Sequence, residues 1–562
     1  MNRLIRLIAF IIINGNFLYS QVDELNKPKL VIGIVVDQMR FDQLYKYQEK
    51  YGDGGFKRIM KEGFNFKNAH YNYIPTVTAS GHASIYTGTT PAVHGIIGNS
   101  WFNRYRDIEV GNVEDTTEII IGSMEGNKNG VSPKNLLSTT ISDQLRLGNN
   151  FTSKVISVSL KDRGAILPGG HTANAAYWHD WQTSPGYFVS SSFYMDSLPD
   201  WVTAFNKSEK SSKYLDDVWN TLYPIESYTE SDADDNPFER TLRGKSSPTF
   251  PYDFNELRKT YRELGAEYQM LWISPKGNTI LTDFALEAIK HENLGADDKT
   301  DLLNISYSVP DVVGHTFGPQ SVELEDIYLR LDKDIEHLLN YLDKTVGKDG
   351  YLLFLTSDHA AIHVASYLDQ HKLPVGVARI KKYNDSLSNY LNIKHGENLW
   401  IQRFDGESIY LNRDLIADSG LQLQLIQQEV AEFLIKLKGI SVAVTAFQLQ
   451  NNEYTMGTKA QIQRGYHPKR SGDVILAFDP GYIQNSNSEI NISDVKGTTH
   501  GSGYSYDTHV PIIWHGWRIP KGESVRKVSI TDIAPSLAML LNLQLPSGNT
   551  GVPLKELFEV KQ

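Results

Sequence analysis

The chain has 562 residues, 40% hydrophobic and 11% aromatic, with 55 Lys and Arg against 66 Asp and Glu and a formal charge of −11. That much apolar side chain builds a large core and excludes disorder and fibrous repeats, in one big domain with insertions or about three to four units. Net acidity without a long basic run excludes nucleic acid as a main partner, because such affinity rests on clustered cations. The absence of cysteine excludes disulfides, thiolate metal sites, cysteine nucleophiles and a cysteine-linked lipid anchor, so any metal is held by oxygen and nitrogen.

Arg3 and Arg6 accompany the apolar run Leu7 to Ile13, which gives way to a polar stretch ending at Ser20 and Gln21. This order reads as a secretory signal over residues 1–20, too short to span a bilayer. A periplasmic or secreted protein is expected, with no membrane anchor once the signal is removed.

The first element beyond it is LVIGIVVD, residues 30–37, a β-branched apolar run that stops at Asp37. A continuous run of this kind suits a strand buried on both faces of a parallel sheet. In YIPTVTASGHASIYTG, residues 73–88, Pro75 leads a Thr/Ser-rich stretch into a helix-like segment. Thr76, Thr78 and Ser80 each offer a hydroxyl near a helix N-terminus, where backbone N–H groups and the dipole favour anions. VISVSLKDRGA, residues 155–165, reads as an alternating strand followed by Lys161 and Arg163, whose spacing puts both on one side of an extended chain.

Residues 303–308, LNISYS, lead through Val309 and Pro310 to Asp311, and residues 351–358, YLLFLTSD, end in Asp358 followed by His359. Between them, residues 325–344 carry apolar positions at helical spacing, and Gly347 and Gly350 mark the return to a strand. Strand, helix, strand is the unit of a parallel α/β sheet, and ligands gather at the carboxyl ends of its strands. Residues 185–265, rich in Ser, Asp, Tyr, Trp and Pro, break the pattern and are expected to form a cap. Residues 380–495 read as a second, lid-like α/β insertion: strand-like ESIYLN, amphipathic LQLQLIQQEVAEFLIKLK, then strand-like ISVAVTAF. The core then comprises residues 21–184, 266–379 and 496–562, ending with a buried strand at 509–516 and a capped helix at 531–543.

DVVGH supplies Asp311 and His315, the SDH segment supplies Asp358 and His359, and GTTHGSG supplies His500. With Asp37 these make three carboxylates and three imidazoles, a natural ligand set for two zinc ions. Gly314 inside DVVGH predicts a loop there rather than a regular helix.

The ordered set of Asp37, PTVTASGH, GIIGN ending at Asn99, DVVGH, SDH and GTTHG resembles the alkaline phosphatase superfamily. More narrowly, it is similar to the phosphate-insensitive bacterial alkaline phosphatases that use a threonine nucleophile. The resemblance implies an alkaline-phosphatase-like α/β fold, a mostly parallel central sheet flanked by helices with cap insertions. It implies Thr78 as nucleophile, one zinc on Asp311, His315 and His500, and another on Asp37, Asp358, His359 and the Thr78 oxygen. Lys161, Arg163 and the Asn99 amide would hold the phosphoryl oxygens. The implied activity is zinc-dependent hydrolysis of small phosphate monoesters of broad range by a monomer, through a phosphothreonine.

Two zinc ions balance Asp37, Asp311, Asp358 and a Thr78 alkoxide, so the more highly charged monoester needs cationic partners that a diester does not. Ala360 and Ala361 replace the Gly-Met that follows the histidine in many nucleotide phosphodiesterases of the superfamily. The alternatives are a nucleotide phosphodiesterase or phosphonate hydrolase on the same scaffold, or an exported binding module with structural zinc and an aromatic surface at Tyr177, Trp178, Trp181, Tyr187 and Trp201. A sulfatase is disfavoured, since the chain holds no cysteine and no S-x-P-x-R motif.

Overall fold

A computed structural model describes residues 27–124, 130–485 and 489–558; the expected signal at 1–20 lies outside the described residues. The apolar runs become strands of one 11-stranded sheet. Its principal members are β1 (Leu30–Val36), β2 (Phe64–His70), β3 (Val155–Ser159), β4 (Ala175–Asp180), β5 (Asp301–Tyr307), β6 (Tyr351–Thr356) and β7 (His509–Gly516). The order is Gly522–Ser524, β2, β7, β6, β1, β5, β3, β4, Tyr187–Ser191, Ile120–Ile121, and the eleventh strand, Val528–Ser529, also pairs with β2. From β6 to β4 the neighbours run parallel. β7 runs antiparallel to both β6 and β2.

The unbroken apolar run of β1 has a direct cause. Leu30, Ile32, Ile34 and Val36 enter the core on one face of the sheet, while Val31 and Val35 enter a second core on the other. Helices α1 (Thr78–Thr87), α2 (Asp162–Gly169), α3 (Val309–Phe317) and α4 (Val322–Thr345) cover the sheet and frame the site. The Ser321 side chain caps α4 by accepting from the Leu324 N–H, and Leu324, Ile327, Leu331, Ile335, Leu338 and Leu342 form its buried stripe.

Residues 185–265 do more than cover the sheet. Tyr187–Ser191 pairs antiparallel with β4, and Val202, Trp219, Tyr252 and Phe254 enter the same core as β1. Tyr177 and Trp178 are only 1% and 5% exposed. Tyr177 meets Trp201 and Phe284 edge to face, so Tyr177, Trp178 and Trp201 pack in or against the core rather than forming a binding surface.

Within residues 380–495 the three expected segments become the strand Ser408–Leu411, the helix Leu423–Leu434 and the strand Ile440–Thr445. With Ile401–Asp405 and Val474–Phe478 the strands make a separate four-stranded sheet. Ile409, Val430, Leu434, Val474 and Leu476 give this region its own core. The last helix opens as a 3-10 turn at Ile530–Asp532, is α-helical over Ile533–Leu541 and ends at left-handed Asn542. Among the described residues, no helix is long and apolar enough to cross a membrane.

Candidate metal centre

β6, β1 and β5 lie side by side and parallel, so their carboxyl ends deliver the aspartates to one place. Asp37 directly follows β1, Asp358 follows β6 after the single intervening Ser357, and Asp311 lies in the first turn of α3 after β5. Asp37 and Asp358 are 0% exposed and Asp311 is 4% exposed. DVVGH is helical, which corrects the loop expected from Gly314. A Cβ at position 314 would lie 2.0 Å from Gln38 Oε1, so glycine serves close approach here, not chain reversal. On this helix Asp311 and His315 share a face, with His315 Nε2 3.1 Å from Asp311 Oδ1.

The other imidazoles converge from separate loops. His359 Nε2 lies 3.4 Å from Asp37 Oδ1 and 3.8 Å from Asp358 Oδ2, and His500 Nε2 lies 3.7 Å from Asp311 Oδ1. The rings of His359 and His500 stack with centroids 3.6 Å apart. Each of the three histidines donates Nδ1–H to a backbone carbonyl: His315 to Thr498, His359 to Ala360 and His500 to Thr76. A carbonyl only accepts, so the proton is pinned on Nδ1 and every Nε2 lone pair faces the carboxylates, the arrangement a metal ligand needs.

Two compact ligand groups result, Asp37 with Asp358 and His359, and Asp311 with His359 and His500. His359 belongs to both, while His315, its side chain 38% exposed, reaches Asp311 from the edge. Burial pushes the Asp37 carboxyl well above its usual range, and neighbouring Asp311 and Asp358 push it further. Burial also opposes charge on Asp311, yet the Lys161 ammonium and His315 hold it well below the usual range. Burial pulls His359 and His500 down toward the neutral, ligating form. His315 is raised, since Asp311 outweighs its burial. Asp37 Oδ1, Asp358 Oδ2 and His359 Nε2 are buried without hydrogen-bond partners. Crowded carboxylates, neutral imidazoles and converging orphaned lone pairs fit a divalent cation held by oxygen and nitrogen.

Lys161 Nζ lies 2.6 Å from both Asp37 Oδ2 and Asp311 Oδ2. The extended-chain reading of Lys161 and Arg163 needs correction: Lys161 caps α2, and Arg163 already sits on its first turn. Lys161 reaches inward, whereas Arg163 is partly exposed, with Nε buried and without a hydrogen bond.

The three candidate hydroxyls separate clearly. Thr76 Oγ1 donates to the Ser502 carbonyl and Ser80 Oγ to the Ile96 carbonyl, both at 2.9 Å. Thr78 starts α1, and no hydrogen bond engages its hydroxyl among the described residues. Asn99 is exposed, and its Oδ1 accepts from the Ala79 N–H at 3.0 Å, which leaves the amide NH2 free to donate.

Two further residues went unmarked in the sequence. Buried His82 has Nδ1 2.9 Å from the Thr78 carbonyl and 3.3 Å from Asp358 Oδ2, with Nε2 2.8 Å from Ser306 Oγ. Gln38 donates its backbone N–H to Asp358 Oδ1 at 3.1 Å and its amide to Asp311 Oδ1 at 2.6 Å. Both stand within recognisable segments, His82 one helical turn after Thr78 and Gln38 beside Asp37. Gly81 admits α1 to this junction, since a Cβ there would lie 2.2 Å from the Asp358 carbonyl oxygen.

A family model described as type I phosphodiesterase/nucleotide pyrophosphatase matches residues 31–517. The chain is 44% identical over 534 residues to alkaline phosphatase PhoV of Synechococcus elongatus, covering 95% of this chain and 93% of that protein. It is 40% identical over 552 residues to alkaline phosphatase PafA of Elizabethkingia meningoseptica, covering 98% of each. The crystal structure of wild-type PafA matches with a TM-score of 0.88, over 95% of this chain and 100% of that one. A second PafA structure carries substitutions at a threonine, an asparagine, a lysine and an arginine, spaced along that chain as Thr78, Asn99, Lys161 and Arg163 are in this one.

Proposed function

The chain belongs to the type I phosphodiesterase/nucleotide pyrophosphatase family, and from that membership we propose that it is an exported, zinc-dependent alkaline phosphatase hydrolysing phosphate monoesters through a phosphothreonine at Thr78. The observation that carries the choice of monoester is the Lys161 ammonium, buried at the carboxylates with Arg163 two residues on in the first turn of α2. A dianionic phosphoryl group needs such cations, and a monoanionic diester needs them less. Near full-length similarity to two proteins named alkaline phosphatase supports the same reading.

Asp311, His315 and His500 would hold one zinc, and Asp37, Asp358, His359 and Thr78 Oγ1 the other. When bound, the two ions supply Lewis acidity, lowering hydroxyl pKa values and neutralising charge on the transferring group. Thr78 Oγ1 gives up its proton to solvent and attacks phosphorus in line with the ester oxygen, the P–O bond to the alcohol breaks, and the alcohol leaves with a proton from solvent. Water then cleaves the phosphothreonine from the vacated side, returning the proton to Thr78 and releasing inorganic phosphate with overall retention at phosphorus. Lys161, Arg163 and the Asn99 amide hold the nonbridging oxygens throughout. His82 and Gln38 orient the Asp358 and Asp311 carboxylates.

The family description favours one second reading, a nucleotide phosphodiesterase. Steady-state rates on a monoester and a diester with the same leaving group separate the two, measured before chelation, after it and after zinc is restored. The monoester is expected to be preferred and its turnover to follow zinc. A preference for the diester sinks the proposal.

A further inference from the structure

The proposed chemistry uses only the floor of a larger cleft. Two adjoining hollows of about 300 and 270 Å³ open over it and share Ile74, Glu407, Gln484, His500 and Gly501. Val77 and Asn99, which flank the proposed nucleophile and phosphoryl site, line the larger one. Another part of its wall is the turn joining the antiparallel strands Ile401–Asp405 and Ser408–Leu411, so the insertion at 380–495 helps form the hollow that His500 and Asn99 also line.

That wall is built in a definite way. Gly406 has φ +53°, and a Cβ there would lie 2.7 Å from Gln484 Oε1, so the turn packs directly on Gln484. The Gln484 amide donates to Glu407 Oε1 and the Leu476 N–H to the Glu407 carbonyl, which fixes this acid at the junction of the hollows. Asp405 and Glu407 line the larger hollow, and Glu407, Asp479 and Asp507 line the smaller. Neither lining contains a Lys or Arg among the described residues. Trp101 and Tyr410 on one side and Tyr482 and Tyr504 on the other add aromatic faces.

We propose that this cleft is a leaving-group subsite favouring phosphate monoesters of cationic alcohols, such as amino alcohols and amine-bearing phenols, over those of anionic alcohols. The inference rests on the phosphomonoesterase reading and names its substrate class. The two ends of the cleft are complementary to a zwitterionic ester: cations gather at the phosphoryl end, carboxylates and aromatic faces where the alcohol would lie. A carboxylate within several ångströms attracts an ammonium and repels a carboxylate through a partly desolvated space, and aromatic faces favour the ammonium further. The charge of a polyanionic leaving group, such as a nucleoside diphosphate, is repelled along these walls.

Three aryl esters of matched ester-oxygen acidity test it: tyramine phosphate, para-ethylphenyl phosphate and the phosphate of para-hydroxyphenylpropanoate. At low ionic strength the zinc enzyme is expected to show kcat/KM about tenfold or more higher for the cationic than for the anionic ester, a ratio that shrinks with salt. Asp405→Asn with Glu407→Gln is expected to bring the ratio below about threefold. Glu263→Gln with Asp298→Asn, exposed acids remote from these walls, is expected to keep it. A ratio near one in the parent, or one that survives the cleft substitutions, overturns the inference. Product inhibition of the parent gives an arm that does not depend on how any variant folds: tyramine is expected to bind more tightly than para-hydroxyphenylpropanoate, and the reverse order overturns the inference. Turnover of the neutral ester without charge preference removes this inference alone, whereas no turnover of any ester removes the phosphatase reading and this inference with it.

Discussion

The Lys161 ammonium stands 2.6 Å from Asp311 Oδ2 and at the same distance from Asp37 Oδ2. One side chain from the cap of α2 thus ties together the ends of two neighbouring strands, β1 and β5. Its charge offsets part of the repulsion among three buried carboxylates, where a metal would offset more.

The stability of the metal-free protein should therefore depend on Lys161. Removing one partner of a buried ion pair leaves an uncompensated charge, so Lys161→Met is expected to cost the chelated protein about 3 kcal/mol. The zinc-loaded protein should lose much less, because the same carboxylates are then neutralised otherwise. Unfolding curves of both forms decide it, and equal losses would contradict the account.

Among the three hydroxyls near the start of α1, only that of Thr78 is uncommitted. Thr78→Ala is expected to lower kcat/KM on a monoester by roughly a thousandfold or more, while Thr78→Ser keeps a measurable fraction because a hydroxyl remains. Thr76→Ala and Ser80→Ala lose a hydrogen bond to a carbonyl and should cost about tenfold or less. Trapping labelled phosphate at low pH and mapping it by peptide checks the assignment; label on any residue other than Thr78 refutes it.

How far the residues alone foretold this arrangement depended on whether the cause was local. β1 was legible because a strand buried on both faces must be apolar at every position, and Asp37 was legible because it ends that run. Gly314 misled, because glycine disfavours a helix by about 1 kcal/mol in general, and the close approach of Gln38 that requires it comes from a distant segment. Lys161 and Arg163 looked like a strand pair because nothing in their spacing marks the turn into α2 at Asp162. The polar composition of 185–265 masked Val202, Trp219 and Tyr252, which complete the main core. His82 and Gln38 act through contacts with residues hundreds of positions away, and no periodicity records such partners.

His359 Nε2 lies in both ligand groups, whereas His315 only approaches Asp311. A single Nε2 lone pair serves one ion, and the two histidines are assigned to different zincs, so His359→Ala and His315→Ala are each expected to lower bound zinc from two ions per chain to about one. Metal analysis of protein desalted after zinc loading measures this directly. Two ions retained by either variant would mean that the substituted histidine is not a ligand.

The far end of α2, whose near end carries Lys161 and Arg163, is anchored by Asp143. This carboxylate is 0% exposed. It accepts from the Thr140 and Thr172 N–H groups, each at 2.8 Å, and lies 3.3 Å from His171 Nδ1. Burial opposes its charge, but the bonds from His171, Thr140 and Thr172 hold it below the usual carboxylate range. A depressed carboxyl stabilises the fold fully above its unfolded pKa of about 3.9, and that contribution is lost as pH falls through the folded value. His171 moves the other way: burial pulls it down, yet Asp143 raises it overall. Its contribution is full below its unfolded pKa of about 6.5 and is lost as pH rises through the folded value. The pair should therefore stabilise most between about pH 4 and pH 6.5. Asp143→Asn is expected to cost about 2 kcal/mol across that window. His171→Ala should lower the melting temperature more near pH 5.5 than near pH 9, because the charge contribution is lost as pH rises through the folded value. An equal shift at both pH values would show that His171 acts by packing and hydrogen bonding to the Leu136 carbonyl rather than by charge.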